Sequence, residues 1–337
     1  MVKNIIISDT TLRDGNHAVG HQLKAEQIAI YAAAADRALI PIVEVGHGNG
    51  LGASSMQVGI SAEDDKTLLT TARENLTTSK LGIHVIPGFA TINRDLKRAI
   101  DIGVDVVRVA SHCTEADITQ RHLGYVREKG KEAYGVLMMS HMASVDLLVE
   151  EAQKMELYGA EGIIIMDSAG AYLPSDVEER ISALIESLSI PIGFHAHNNL
   201  GMAIANSVAA IEAGATILDG SARGFGAGAG NAQVEVLVAV LDRLGYQTNI
   251  DLYNILDATD IAEKDIIPVV PIIKSDNIVS GLTGVFSGFS KHVSRIANEY
   301  NVDSRDVYFA LGERKVVAGQ EDIIVEVVLE LVKNKKK

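Results

Sequence analysis

Between residues 5 and 244, short β-branched runs alternate with longer helical patterns eight times, and few architectures accept that grammar. The runs at 5–7, 42–45, 81–86, 106–109, 136–139, 162–166, 192–195 and 217–219 read as strands. Helical patterns follow at 25–38, 64–75, 94–102, 120–129, 144–158, 175–188, 203–213 and 232–244. The strands lack strict apolar–polar alternation, as expected where both faces of a parallel sheet are covered. IDIGVDVVRV, ELYGAEGIIIM and IEAGATILDG share one order: helix end, glycine, short polar step, buried strand. Gly103, Gly159 and Gly214 then fall just past helix ends, where a left-handed backbone is open to glycine. Eight such units predict an α/β fold, a closed (β/α)8 TIM barrel, with a doubly wound open sheet as the rival.

After Gly245 the pattern changes. DLYNILDATDIAEKDIIPVVP holds one helical stretch ending near two prolines; Gly281, Gly284 and Gly288 follow, then helical patterns at 290–300, 304–311 and 320–332. The division expected is a barrel over 1–250 and a small helical C-terminal domain over 251–337. The chain carries 30 Lys and Arg against 44 Asp and Glu, a net charge of −14. That argues against nucleic acid or an anionic membrane as a partner, and an anionic substrate would need a local cation. The single cysteine, Cys113, excludes an intrachain disulfide framework and a multi-cysteine zinc site, and fits a reducing cytoplasm. No apolar run is long enough to span a bilayer, MVKNIIISDTT is too short for a signal peptide, and the NKKK tail reads as a solvated helix terminus.

A barrel's chemistry sits at the C-terminal ends of its strands. There, His195 and His197 form an H-x-H pair; residues two apart on a strand share a face, so both imidazoles can aim at one point and hold a metal. After the first strand comes Asp9-Thr10-Thr11-Leu12-Arg13-Asp14-Gly15-Asn16-His17. Its plain reading is a capped turn; beside H-x-H, Asp14 becomes a third ligand. Two imidazoles and one carboxylate leave open positions on Mg²⁺, Mn²⁺ or Co²⁺ for a chelating 2-oxo acid. Arg13 can hold a carboxylate or enolate oxygen, or pair internally with Asp9 or Glu44. Of His17 and His21 one is a candidate base; His21, just before a helix, reads as a surface or capping residue. Glu44, His47, Ser111, His112, Ser140, His141, Asp167, Ser168, Asp219 and Arg223 complete a polar rim. His84 reads as structural, His122 and His292 as solvated. Asn198 and Asn199 could support the ligands or simply shape the loop. GFGAGAGN, residues 224–231, could bind phosphate but reads better as a tight strand-to-helix crossing, with Asn231 near the metal rim. Cys113 beside His112 is no nucleophile pair, since adjacent side chains diverge.

TTLRDGNHAVGHQ, HAHNNLG and GAGAGN together resemble the pyruvate-lyase-like barrels that include hydroxymethylglutaryl-CoA lyase and isopropylmalate synthase. With IVEVGHGNGLGASS, MDSAGAY and VVAGQEDIIVEV added, nearly the whole chain resembles the 4-hydroxy-2-oxovalerate aldolase family, class II pyruvate aldolases of aromatic-compound catabolism. The resemblance implies a divalent metal, Mn²⁺ first, on Asp14, His195 and His197. It implies Arg13 as the enolate-stabilising residue, His17 as the base that takes the C4 hydroxyl proton, and Ser168 and Phe286 beside the substrate. It implies retro-aldol cleavage of a 4-hydroxy-2-oxo acid to pyruvate and an aldehyde. It also implies an acylating acetaldehyde dehydrogenase partner touching the helical C-terminal region, in a homo- or hetero-oligomer. In GVFSGF the family usually has Tyr at Phe286, which opens the identity of the aldehyde portion; HAHNN for the usual HAHHN is a smaller departure. The alternatives are an acyl-CoA-dependent Claisen condensing enzyme or CoA-ester lyase on the same barrel, a non-catalytic dehydrogenase partner subunit, and a non-haem iron oxygenase.

Overall fold

The computed structural model describes residues 4–335; the expectations for residues 1–3 and for the last two lysines lie outside the described residues. Eight parallel strands close in sequence order: β1 (Ile6–Leu12), β2 (Ile42–Val45), β3 (Lys80–Val85), β4 (Val106–His112), β5 (Glu132–Met138), β6 (Ile163–Asp167), β7 (Ile192–Ala196) and β8 (Ile217–Gly220). The ladder between β1 and β8, with Ile6 opposite Ile217 and Asp9 opposite Gly220, shuts the cylinder and excludes the open sheet. Around it run α1 (Gly15–Ala18), α2 (Ala25–Arg37), α3 (Asp65–Asn75), α4 (Lys97–Ile102), α5 (Gln120–Glu128), α6 (Val145–Leu157), α7 (Pro174–Ser187), α8 (Ala203–Glu212), α9 (Val234–Arg243) and α10 (Leu252–Asp265). Beyond them lie α11 (Ser275–Thr283), α12 (Ser290–Glu299), α13 (Ser304–Glu313) and α14 (Asp322–Lys335). Gly103, Gly159 and Gly214 take φ of 112°, 99° and 119°, the left-handed turns expected of them.

The core has two layers and a satellite. Between strands and helices lies one apolar shell, which Ile255, Ala258 and Ala262 of α10 join. Inside the cylinder, Ile42, Val106, Val136, Ile164 and Ile217 fill the lower part. Two residues further along the same inward faces come Glu44, Arg108 and Asp219, so the filling changes from apolar to ionic toward the mouth. A separate cluster from Val285 to Val328 holds the C-terminal helices together. Arg223, expected at the mouth, instead ties α10 to the barrel: its guanidinium meets Glu235 at 3.1 Å and Glu263 at 2.8 Å. No helix among the described residues is long and apolar enough to cross a membrane.

Candidate active site

Asp14, His195 and His197 come together at the mouth, fully or nearly buried, each offering one ligand atom, and these atoms lie within 4.8 Å of one another. Asp14 Oδ2 stands 3.8 Å from His195 Nε2 and 4.0 Å from His197 Nε2. Three details show the set fits a divalent cation. His195 Nδ1 donates to Asp219 Oδ2 at 2.8 Å, so the lone pair is on Nε2, and that atom is buried without a protein partner. Asp14 is ionised: burial pushes its carboxyl up, but the Arg13 guanidinium beside it holds it well below the usual range. Burial drives His197 down to about 4, leaving a neutral imidazole of the kind metals take.

Arg13 makes the internal pairing expected of it, with Glu44 rather than Asp9. Its Nε bonds Glu44 and its Nη1 bonds Asp14 Oδ2 at 2.8 Å and the Gly48 carbonyl at 3.2 Å. Nη2 is buried with no partner, a donor left over for a ligand oxygen. Glu44 also accepts from Arg108 at 3.0 Å, and Arg108 reaches Asp219 at 2.5 Å. The contacts therefore run His195–Asp219–Arg108–Glu44–Arg13–Asp14, a chain that returns to the ligand set where it began. Burial pushes Glu44 up, yet the two guanidiniums bring it down to about 2. Three carboxylates face two guanidiniums, so the site carries one excess negative charge, which a divalent cation offsets. Arg108 was missed in the sequence; an arginine inside the apolar run VVRVA was its signal.

His17 lines a cavity of about 590 Å³ between the barrel mouth and the C-terminal helices, together with Gly226, Ala227, Phe286 and Lys291. Burial pushes His17 down to about 3, so its imidazole is neutral. His21 is not the surface residue expected. It is buried, with φ of 65°, and stacks on His47 at 3.6 Å between ring centroids while meeting His17 edge-on at 5.1 Å. Ser168 is fully buried; its hydroxyl accepts the Met139 amide at 2.9 Å. His122 and His292 are half-buried rather than solvated, and His122 bonds the Ala90 carbonyl at 3.1 Å. Cys113 is buried, donates to the Met139 carbonyl at 3.2 Å and is pushed up to about 12, which suits no nucleophile.

The glycine-rich loop is a tight crossing with a task. The Ala227 amide donates to Asp14 Oδ1 at 3.0 Å, and a Cβ on Gly226 would lie 2.7 Å from that same oxygen and collide with Asn231. Asn231 stands where expected, against the ligand set, with its Oδ1 buried and unpartnered.

The structure thus sets a buried Asp–His–His cluster and an arginine at the mouth of a parallel barrel. Residues 4–262 match the family described as HMGL-like, and residues 271–333 match the DmpG-like communication domain. Relatives named 4-hydroxy-2-oxovalerate aldolase are 67% identical in Spirochaeta aurantia (97% of this chain, 96% of the relative) and 63% identical in Pectobacterium atrosepticum (99% and 97%). A third, from Serratia proteamaculans, is 58% identical over 97% of this chain and 98% of its own. The chain belongs to this aldolase family and is a lyase. The carboxyl transferase domain of Rhizobium etli pyruvate carboxylase, solved with pyruvate and biocytin, shares the fold at a TM-score of 0.84 and 18% identity, over 98% of this chain and 61% of that one.

Proposed function

We propose that this chain cleaves 4-hydroxy-2-oxovalerate, or a close 4-hydroxy-2-oxo acid, to pyruvate and an aldehyde such as acetaldehyde. The observation that carries the reading is the meeting of Asp14, His195 and His197 with the unpartnered Nη2 of Arg13. A divalent cation on that set, Mn²⁺ by family resemblance, would supply the Lewis acid that draws charge onto the 2-oxo group. Arg13 Nη2 donates to the 2-oxo oxygen as it becomes an enolate. The neutral His17 imidazole takes the C4 hydroxyl proton as the C3–C4 bond breaks, and the same proton can return to C3 to complete pyruvate. Ser168, whose hydroxyl accepts the Met139 amide of the loop after β5, contacts the substrate, and Phe286 closes the cavity beside the C4 substituent.

In this reading residues 1–250 do the chemistry, and 251–337 meet an acylating aldehyde dehydrogenase in a hetero-oligomer. The exposed apolar side chains Ile278, Leu282 and Phe309 give that unit a face for a partner. A cytoplasmic setting fits the one buried thiol. The test is pyruvate release from racemic 4-hydroxy-2-oxovalerate, followed with lactate dehydrogenase, after chelation and Mn²⁺ return. Turnover that falls on chelation and recovers with metal supports the reading; none with any divalent ion sinks it.

A further inference from the structure

Asn199 is fully buried, two residues past His197, and its one carboxamide joins three separate pieces of chain. Nδ2 donates to the Ala169 carbonyl at 2.8 Å, in the loop after β6, and to Ser287 Oγ at 2.9 Å, in the C-terminal unit. Oδ1 accepts the Ala229 amide at 2.9 Å, in the glycine-rich loop. Both hydrogens are used at short range; Ser280 Oγ stands further off at 3.5 Å. No slack surrounds the group: a Cβ on Gly228 would lie 2.7 Å from Asn199 Oδ1, and one on Gly170 3.0 Å from its Cβ. The glycine-rich loop thus touches Asp14 through Ala227 and Asn199 through Ala229. Ser287 follows directly on Phe286, which lines the cavity with His17.

We propose that Asn199 is a positioning residue: by fastening Ser287 to the glycine-rich loop it sets how far Phe286 reaches into the cavity, and so which aldehyde portions the site accepts. This rests on the aldolase reading for its substrates but not for its geometry. Asn199→Asp keeps the shape and the Ala229 contact, sets a carboxylate oxygen against the Ala169 carbonyl in place of a hydrogen bond, and can hold Ser287 only if the serine hydroxyl turns to donate. The segment stays attached without the Asn199 link, because the Ser287 amide still bonds the Ser168 carbonyl at 2.9 Å and His141 Nε2 still bonds the Gly284 carbonyl at 2.9 Å. Ser287→Ala removes the same link from the other side, and Ser287→Thr retains it.

The experiment uses the full-length chain. Substrates releasing acetaldehyde and a longer aldehyde are compared by kcat/KM, and exchange of pyruvate C3 protons with solvent reports enolisation alone. Hydrogen–deuterium exchange of the peptide spanning 280–289, without added metal, reports the segment directly. N199D and S287A are expected to shift the substrate ratio at least about fivefold in one direction, through KM more than kcat, with S287T like wild type. Pyruvate exchange stays within about twofold, and the 280–289 amides exchange about tenfold faster or more. The proposal is overturned if N199D and S287A keep the wild-type ratio and amide protection while Phe286→Ala changes the ratio. It is equally overturned if pyruvate exchange falls in step with cleavage, since the amide then serves the whole mouth. Failure of wild type to release pyruvate with any metal would instead strike the aldolase reading, and amide protection alone would then decide the role of Asn199.

Discussion

Single side chains in this mouth have separable duties. His17 is neutral because burial opposes its charge, and it lines the cavity. Replacing it with Ala should lower kcat by about 10²–10⁴ while Mn²⁺ affinity, read by calorimetry, stays within about threefold. A kcat loss under about threefold would remove it as the base. Asp219 works the other way. It touches no substrate in the proposed reaction but fixes which nitrogen of His195 carries the proton. Asp219→Asn should weaken Mn²⁺ binding by about 10–100-fold, measured by the same titration; unchanged affinity would show that His195 is oriented by packing alone.

At the scale of elements, the loop after β8 and the approach to β3 make contrasting cases. In the first, Gly226 leaves no room for a side chain between Asp14 and Asn231. Gly226→Ala should displace the loop and cost at least about tenfold in metal affinity with the fold intact by circular dichroism; wild-type affinity would show that the loop yields freely. In the second, Asp36 at the end of α2 accepts the amides of Thr77, Thr78 and Ser79 at 3.0, 2.8 and 2.7 Å. Partial burial alone would raise its carboxyl, but these hydrogen bonds lower it from 3.8 to about 2. A carboxyl with a depressed folded value stabilises above its unfolded value and loses that contribution as pH falls through the folded one. Discounted for solvent screening, Asp36 contributes about 1 kcal/mol. The denaturant midpoint of Asp36→Asn should therefore trail wild type at pH 7, with the gap narrowing between pH 4 and 2; a gap constant with pH would contradict the assignment.

Elements were legible where apolar periodicity was clean and blurred where function or punctuation intervened. The β-branched runs 42–45 and 192–195 mark β2 and β7 to within a residue. β1 runs to Leu12, well past the expected 7, because its continuation SDTTL is polar yet buried, with Thr10 Oγ1 bonding the Gly220 carbonyl. The helix expected at 94–102 begins as a π turn at Ile92–Leu96. α11 was hidden by the prolines before it and by Gly281, which sits inside it against Leu200. In the site, His195 and His197 were readable from spacing and Asp14 from its place after the first strand, whereas Arg108, marked only as an arginine in an apolar run, and Asn199 act through partners far along the chain.

For the molecule as a whole, net charge of −14 and a buried site with one excess negative charge make the metal part of the stability balance. A ligand that binds only the folded chain stabilises it by about 2.7 kcal/mol at a hundred times its Kd. Saturating Mn²⁺ should raise Tm by several degrees over the chelated chain, and the increment should shrink in Asp14→Asn. A Tm indifferent to metal in wild type would mean that the triad binds no ion.

The chain of contacts from His195 through Asp219, Arg108, Glu44 and Arg13 to Asp14 has a consequence for how such a protein can diversify. Each internal member satisfies two neighbours, so losing one leaves another short of a partner. Phe286 sits on a different piece of chain, held at the rim by a few hydrogen bonds. With Phe286 facing the released aldehyde, as proposed, the residues that break the bond are inherited as a block, while the aldehyde is open to change one residue at a time.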